Sequence, residues 1–251
     1  MAKQRGIIKL EGTLDDITFQ KTQDGYRAKT KSSVPAARIF TDLSYVRTRE
    51  NMAEFSRAAK AARLFRTSFQ SKARKVGDGR AGSRLVASMM KVLKQDAIHD
   101  RGLRTVVDGD VALLHGFEFN VHSTIESSMA APFEASIDRA SGEGSISIAP
   151  FIPEDMIKLP TGADHFIVFA TLVEVDFENV SYKVFSKETE VLPWDTNATA
   201  AIDLTVASGG ISTLPLFLAL GIEFRQEVLG KNYSLKNGAY TAMSIVKVDK
   251  A

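Results

Sequence analysis

The tightest spacing with chemical meaning in this 251-residue chain is Gly77-x-Gly79-x-x-Gly82, just ahead of the helix-like run SRLVASMMKVLKQDA. In a dinucleotide site such glycines let the backbone approach a pyrophosphate, which rests on the N-terminus of the following helix. That chemistry needs a strand before the loop. Here the loop follows the basic helical end SKARK, outside any βαβ unit. The expected role is a helix–helix turn. Anion contact through Arg80, Arg84 and the free helix N–H groups is the sharper alternative. No cofactor is expected.

The four histidines, His99, His115, His122 and His165, show no HxH or HExxH spacing, so no metal site is expected. No Gly-x-Ser-x-Gly elbow offers a serine nucleophile. The acidic pairs Asp108/Asp110 and Glu154/Asp155 lie beside Gly or Pro, where turn and cap duty explains them better than acid–base catalysis. Trp194, in LPWD, reads as a core or corner residue. A groove built from Trp194, Tyr182 and Tyr233 would be needed for glycan binding. There are no cysteines, which excludes disulfides, zinc–thiolate sites and cysteine nucleophiles. The expectation is a protein that is not an enzyme.

Charge is the stronger signal. Residues 1–104 carry 23 Lys and Arg against 10 Asp and Glu, a balance of +13, and residues 105–251 carry 9 against 20, a balance of −11. Residues 42–75 alone hold nine basic against three acidic side chains. A helix with that balance can neutralise phosphates, though phosphate contact alone reads no sequence. The residues expected to meet either nucleic acid or the acidic half of a neighbouring copy are Arg47, Arg49, Arg57, Lys60, Arg63, Arg66, Arg80 and Arg84.

Positioning these residues requires three segments. Residues 1–38 are expected to form a β-hairpin arm, with GIIKLEG and DITFQK as strands around Gly12 and a second turn at Asp24-Gly25. Residues 39–107 are expected to form a basic helical hairpin. In its first helix, over 44–74, Met52, Phe55, Ala59, Ala62, Phe65 and Phe69 span about 140° of the helix wheel. Arg66 falls inside that sector and Leu64 outside it. Either the Arg66 stem snorkels or the helix is contacted on two sides, the second between molecules. Ser83 is placed as the cap of the second helix, whose apolar face is Leu85, Val86, Met89, Val92, Leu93 and Ala97.

From residue 108 apolar and polar residues alternate and turn signals recur. FEASID and GSISIA flank RASGE, and HFIVFATLVEVDF, NVSYKVFS, TAAIDLTVA, LFLALGIEFRQEV and YTAMSIVKV follow, with turns at Gly230 and Asn237-Gly238. Residues 108–251 are thus expected to form an acidic antiparallel β-sandwich, immunoglobulin-like or jelly-roll in type, and the fold class is α+β.

GIIKLEGTLDDITFQKTQDGYRAKTKSS, RTRENMAEFSRAAKAARLFR, LLHGFEFN, PLFLALGIEF and LKNGAY together resemble an uncharacterised bacterial family of the Bacteroidota type, along the whole chain. The resemblance implies a bacterial, non-secreted protein and no particular activity. The family starts its helix after an Asp-Pro-like turn, where this chain has Thr41-Asp42-Leu43.

These features point to a self-assembling structural protein of filament, tube or phage-like form. Copies would associate head to tail, basic N-terminal region against acidic β-domain. The alternative is a nucleic-acid-associated architectural protein that uses the basic helical region. With no apolar run of spanning length and no signal-peptide pattern, a cytoplasmic location without membrane contact is expected, release by lysis or a specialised route aside.

Overall fold

A computed structural model describes residues 2–22, 24–30, 34–73, 78–235 and 239–250. The chain divides into two units, Met1–Glu50 and Asn51–Ala251. It is an N-terminal mixed β/α region followed by a β-rich C-terminal part, an α+β architecture.

In the first unit β1 (Ala2–Lys3), β2 (Gly12–Leu14), β3 (Ile17–Thr22) and β4 (Gly25–Thr30) form an antiparallel sheet in the order β1-β4-β3-β2. Leu14 pairs with Ile17, so Asp15-Asp16 is a two-residue loop, and Asp15 takes the positive φ (47°) that a primed turn requires. The next hairpin closes between Thr22 and Gly25. The expected first strand over 6–12 is instead mostly loop. Gln4 Nε2 donates to the Leu10 carbonyl (3.3 Å) and Gln4 Oε1 accepts the Leu10 N–H (3.0 Å). A side chain thus supplies the bonds a sheet neighbour would have given, and Ile7 and Ile8 stand outside the ladder. After Pro35 comes α1 (Ala36–Thr41). Asp42 then accepts the Ser44 N–H (2.9 Å) and opens a short 3₁₀ turn, Leu43–Tyr45. No described residue of this unit is buried.

Helix α2 (Val46–Ser68) is followed by α3 (Gln70–Ala73), α4 (Ala81–Lys94), α5 (Ile125–Ser128), β5 (Phe133–Asp138), β6 (Glu143–Ile148) and α6 (Pro153–Met156). Then come β7 (His165–Asp176), β8 (Ser181–Glu188), β9 (Leu192–Pro193), β10 (Ile202–Ala207), β11 (Leu216–Val228), β12 (Lys231–Ser234) and β13 (Ala242–Asp249). The frame of the second unit is the antiparallel pair β7–β11, in register from His165↔Arg225 to Glu174↔Leu216. β8 and β9 line the free side of β7, while β12 and β13 line that of β11. A second sheet has the order β10-β6-β5.

HFIVFATLVEVD and LFLALGIEF are nearly continuous apolar runs because both faces of this pair are covered. Phe166, Val168, Leu172, Leu218 and Leu220 share a core with Ile146, Ile148, Leu204 and Val206 of the second sheet. Phe169, Val173, Phe217, Met243 and Ile245 share the other core with Ala58, Phe65, Leu85, Met89 and Val92 of α2 and α4. Helices and sheets are therefore layers of one unit. Gly221 lies where a Cβ would overlap the Phe169 ring.

The buried face of α2 is not the expected one. Glu54, Ala58, Ala61, Ala62, Leu64, Phe65 and Ser68 are buried, while Met52 and Phe55 are exposed. At 100° per residue this face is rotated by about 90° from the apolar sector. Both anomalies then resolve: Leu64 is in the core and Arg66 is in solvent. The polar members of the face are satisfied, since Glu54 accepts the Gly102 N–H (2.8 Å) and Ser68 donates to the Phe65 carbonyl (2.7 Å). On α4, Leu85, Met89, Val92 and Leu93 are buried as expected, but Ala97 lies beyond the helix end and is exposed. Ser83 does not cap α4. It sits in the first turn and donates to the Arg80 carbonyl (2.9 Å). Gly82 is likewise helical, and no described strand precedes the loop, as the turn role requires; Gly77 and the Asn237-Gly238 turn lie outside the described residues.

Candidate functional site

Residues 115–119 run along the outer edge of β13. Gly116 N donates to Ile245 O (2.8 Å), Ile245 N to Phe117 O (3.1 Å) and Phe119 N to Met243 O (2.9 Å). Phe117 and Phe119 enter the helix-side core, and the alternation puts Glu118 on the other side. There it faces a cleft of about 690 Å³, walled also by Ile125, Glu126, Met129, Phe133 and Val246. A capping box between Thr124 and Ser127 fixes the start of α5 and with it Ile125 and Glu126.

Burial pushes the Glu118 carboxyl up to about 7, and the nearby charge of Glu126 adds to the rise. The Ile125 N–H, the Ser244 hydroxyl and Arg84 pull the other way. Its Oε2 is buried without a hydrogen-bond partner. Arg84 is held beside it as a structural cation. It donates to Glu118 O (2.8 Å), is paired with Asp78 (2.5 Å) and lies 5.2 Å from the Phe117 ring centre. A carboxyl that changes charge near neutrality at the wall of a largely apolar cleft, with Glu126 beside it, is suited to receive a cation borne on an apolar group.

A second cluster joins Asp96, His99 and Asp108, whose ligand-type atoms lie within 4.8 Å of one another and are compatible with a metal ion. Asp96 is already engaged. It accepts the N–H groups of Ile98 (2.8 Å), His99 (3.0 Å) and Thr105 (2.8 Å), and His99 Nδ1 lies 2.9 Å away. Burial works to raise this carboxyl, but the Thr105, His99 and Ile98 N–H groups overcome it and hold it well below the usual carboxylate range. The arrangement braces the loop after α4. Asp110 is a cap, accepting the Ala112 N–H (3.2 Å), as expected.

No protein-family model matches the chain. No curated protein and no solved structure matches it.

The eight basic residues picked out by charge differ in their surroundings. In the first unit Arg47 pairs with Glu50 (3.1 Å), and Arg49 donates to the carbonyls of Ile39 (2.8 Å) and Asp42 (2.9 Å). In the second, Arg57 donates to the carbonyls of Gly102 (2.7 Å) and Arg104 (3.2 Å), so Arg57 and Arg84 are committed to the backbone. Lys60, Arg63, Arg66 and Arg80 are exposed. Trp194 packs on the sheet–sheet core and donates Nε1–H to Ile157 O (3.1 Å). Tyr182 pairs near Val175 and Tyr233 near Gln226, at opposite ends of the β7–β11 pair, so no aromatic groove forms. Sequence reasoning passed over Glu118 and Glu126. The Phe117-Glu118-Phe119 alternation does place Glu118 opposite two core residues, but the wall from Met129 to Phe133 is a matter of tertiary structure.

Proposed function

We propose that this is a self-assembling structural protein in which the N-terminal unit docks on the β-rich part of another copy. One observation carries this: within Met1–Glu50 no described residue is buried, yet Ile7, Ile8, Leu14, Phe40 and Leu43 are all at least 62% exposed. A sheet of such short strands has no core to stabilise it alone, and exposed apolar surface of this density marks an interaction face. The opposite charge balances of residues 1–104 and 105–251 favour a head-to-tail encounter. The β-rich part serves as the rigid body, and its strand order favours an immunoglobulin-like sandwich over a jelly roll. Among the seven long strands the second pairs with the fifth (β6–β10) and the third with the sixth (β7–β11).

The test is sedimentation velocity with negative-stain electron microscopy of the full chain, at low and high salt. Regular filaments, rings or shells support the proposal. A monomer at every concentration and salt refutes it. A nucleic-acid role has one specific feature in its favour: Lys60, Arg63 and Arg66 are exposed at a spacing of three along α2. It requires a DNA or RNA mobility shift that weakens steeply with salt and with charge removal at these three positions.

A further inference from the structure

The loop that breaks the expected first strand is built as a projecting tip. Gln4 closes it with both atoms of its amide on Leu10, and Lys9 Nζ donates to Gln4 O (2.8 Å). The closure leaves Ile7 fully exposed and Ile8 80% exposed, with Arg5 alongside. Two branched apolar side chains held in solvent by a fixed loop lose little further freedom on docking. Held so, they would dock at a smaller entropic cost than the same residues on a free chain.

The cleft beside Glu118 is complementary to that tip in three respects. Its walls at Ile125, Met129, Phe133 and Val246 are apolar. Its volume, about 690 Å³, lies within the range of sites that enclose a compact apolar group. Its acidic lining comes from Glu126, with the half-buried Glu118 carboxyl beside it, whose Oε2 has no hydrogen-bond partner. An unpartnered buried acceptor is costly until a donor reaches it, and a guanidinium carries five donors in a planar fork that suits carboxylates.

We propose that the Ile7-Ile8 tip of one copy seats in the cleft beside Glu118 of a second copy, with Arg5 set against the Glu126 carboxylate and next to the Glu118 carboxyl. This rests on the self-assembly proposed above and names its two contact surfaces. Tip and cleft are different parts of the chain, so each copy offers one of each. The contact is heterologous and generates a ring where the rotation closes and a filament where it does not.

The experiment uses the full chain with a benzoylphenylalanine photocrosslinker in place of Ile8. Uniformly ¹⁵N-labelled and unlabelled protein are mixed in equal amounts, irradiated and digested. Crosslinks joining labelled to unlabelled chains at Met129, Phe133 or Val246 are expected. Crosslinks confined to one chain, or mapping elsewhere, overturn the proposal. In parallel, Arg5→Glu and Glu126→Arg should each weaken association about tenfold, and the double swap should restore it. Wild type that assembles while both single variants assemble equally well removes this contact and leaves self-assembly standing. Wild type that stays monomeric removes both.

Discussion

Glu118 and Asp96 are two carboxyls of one unit driven in opposite directions, and pH separates them. The folded state raises Glu118 to about 7, so between about pH 4.5 and 7 it holds a proton that the unfolded chain has released. Its contribution is fully present below that window and is lost as pH rises through it. Glu118→Gln should therefore stabilise the fold at pH 8, by about 2 kcal/mol after allowing for partial solvent screening. At pH 4 it should do almost nothing. Urea denaturation of both proteins at the two pH values measures this, and an equal difference at both would show that the carboxyl is not held neutral. Asp96 is lowered instead, so its contribution is present above the ordinary carboxylate range and fades as pH falls through its folded value. Asp96→Ala strands three backbone N–H donors and should cost about 2–4 kcal/mol at pH 7. If the cluster is a brace, zinc or manganese should leave the melting temperature of the wild type unchanged. A rise with added metal would mean that Asp96, His99 and Asp108 reorganise into a ligand set. Of this, only the alternation that sets Glu118 opposite Phe117 and Phe119 is legible in the sequence. His99 and Asp108 lie 9 residues apart in the chain, and the course of the loop around Asp96 brings them to 3.7 Å of each other.

At the scale of elements, α2 is the informative failure. Its apolar spacing was correct as a helix signal and wrong as a guide to the face, because Ala58, Ala61 and Ser68 are small enough for the helix to settle closely on the sheet. Met52 and Phe55, which belong to the expected stripe, are left outside. The two versions of the face predict different mutational costs. Phe65 is fully buried, with its ring 4.7 Å from that of Phe217, and Phe65→Ala should cost about 3–5 kcal/mol. Phe55→Ala should fall within about 0.5 kcal/mol of wild type. Comparable losses at both positions would return the helix to the face read from sequence. The strands fared better. Runs such as FEASID, NVSYKVFS and YTAMSIVKV became β5, β8 and β13 because alternation and turn residues are local signals. GIIKLEG did not become a strand, since its β propensity was outweighed by one glutamine side chain closing a loop. Gly221 is an element-level constraint of another kind. Gly221→Ala would drive a methyl group into the Phe169 ring between paired strands, and a loss of about 1–3 kcal/mol is expected in the same denaturation assay.

For the whole molecule, two terms of different physical character meet in the proposed assembly, and salt distinguishes them. The separation of charge between residues 1–104 and 105–251 acts over distance, so it governs how fast copies find each other and in which orientation. The apolar tip at Ile7 and Ile8 acts only in contact and sets how long they stay. The charge separation could be read directly from the chain. The tip could not, because the same residues also look like an ordinary strand. Raising salt from about 0.05 to 0.5 M shortens the screening length from more than 10 Å to a few ångströms. Assembly of the wild type should slow markedly while its final extent changes little. Ile7→Asp with Ile8→Asp should do the reverse, leaving the early rate salt-dependent but reducing the final assembled fraction to near zero. Light scattering over time, followed by sedimentation at the end point, separates rate from extent. If high salt dissolves the assembly outright, charge rather than the tip holds it. The docking surface would then have to be sought on the exposed basic side of α2 at Lys60, Arg63 and Arg66.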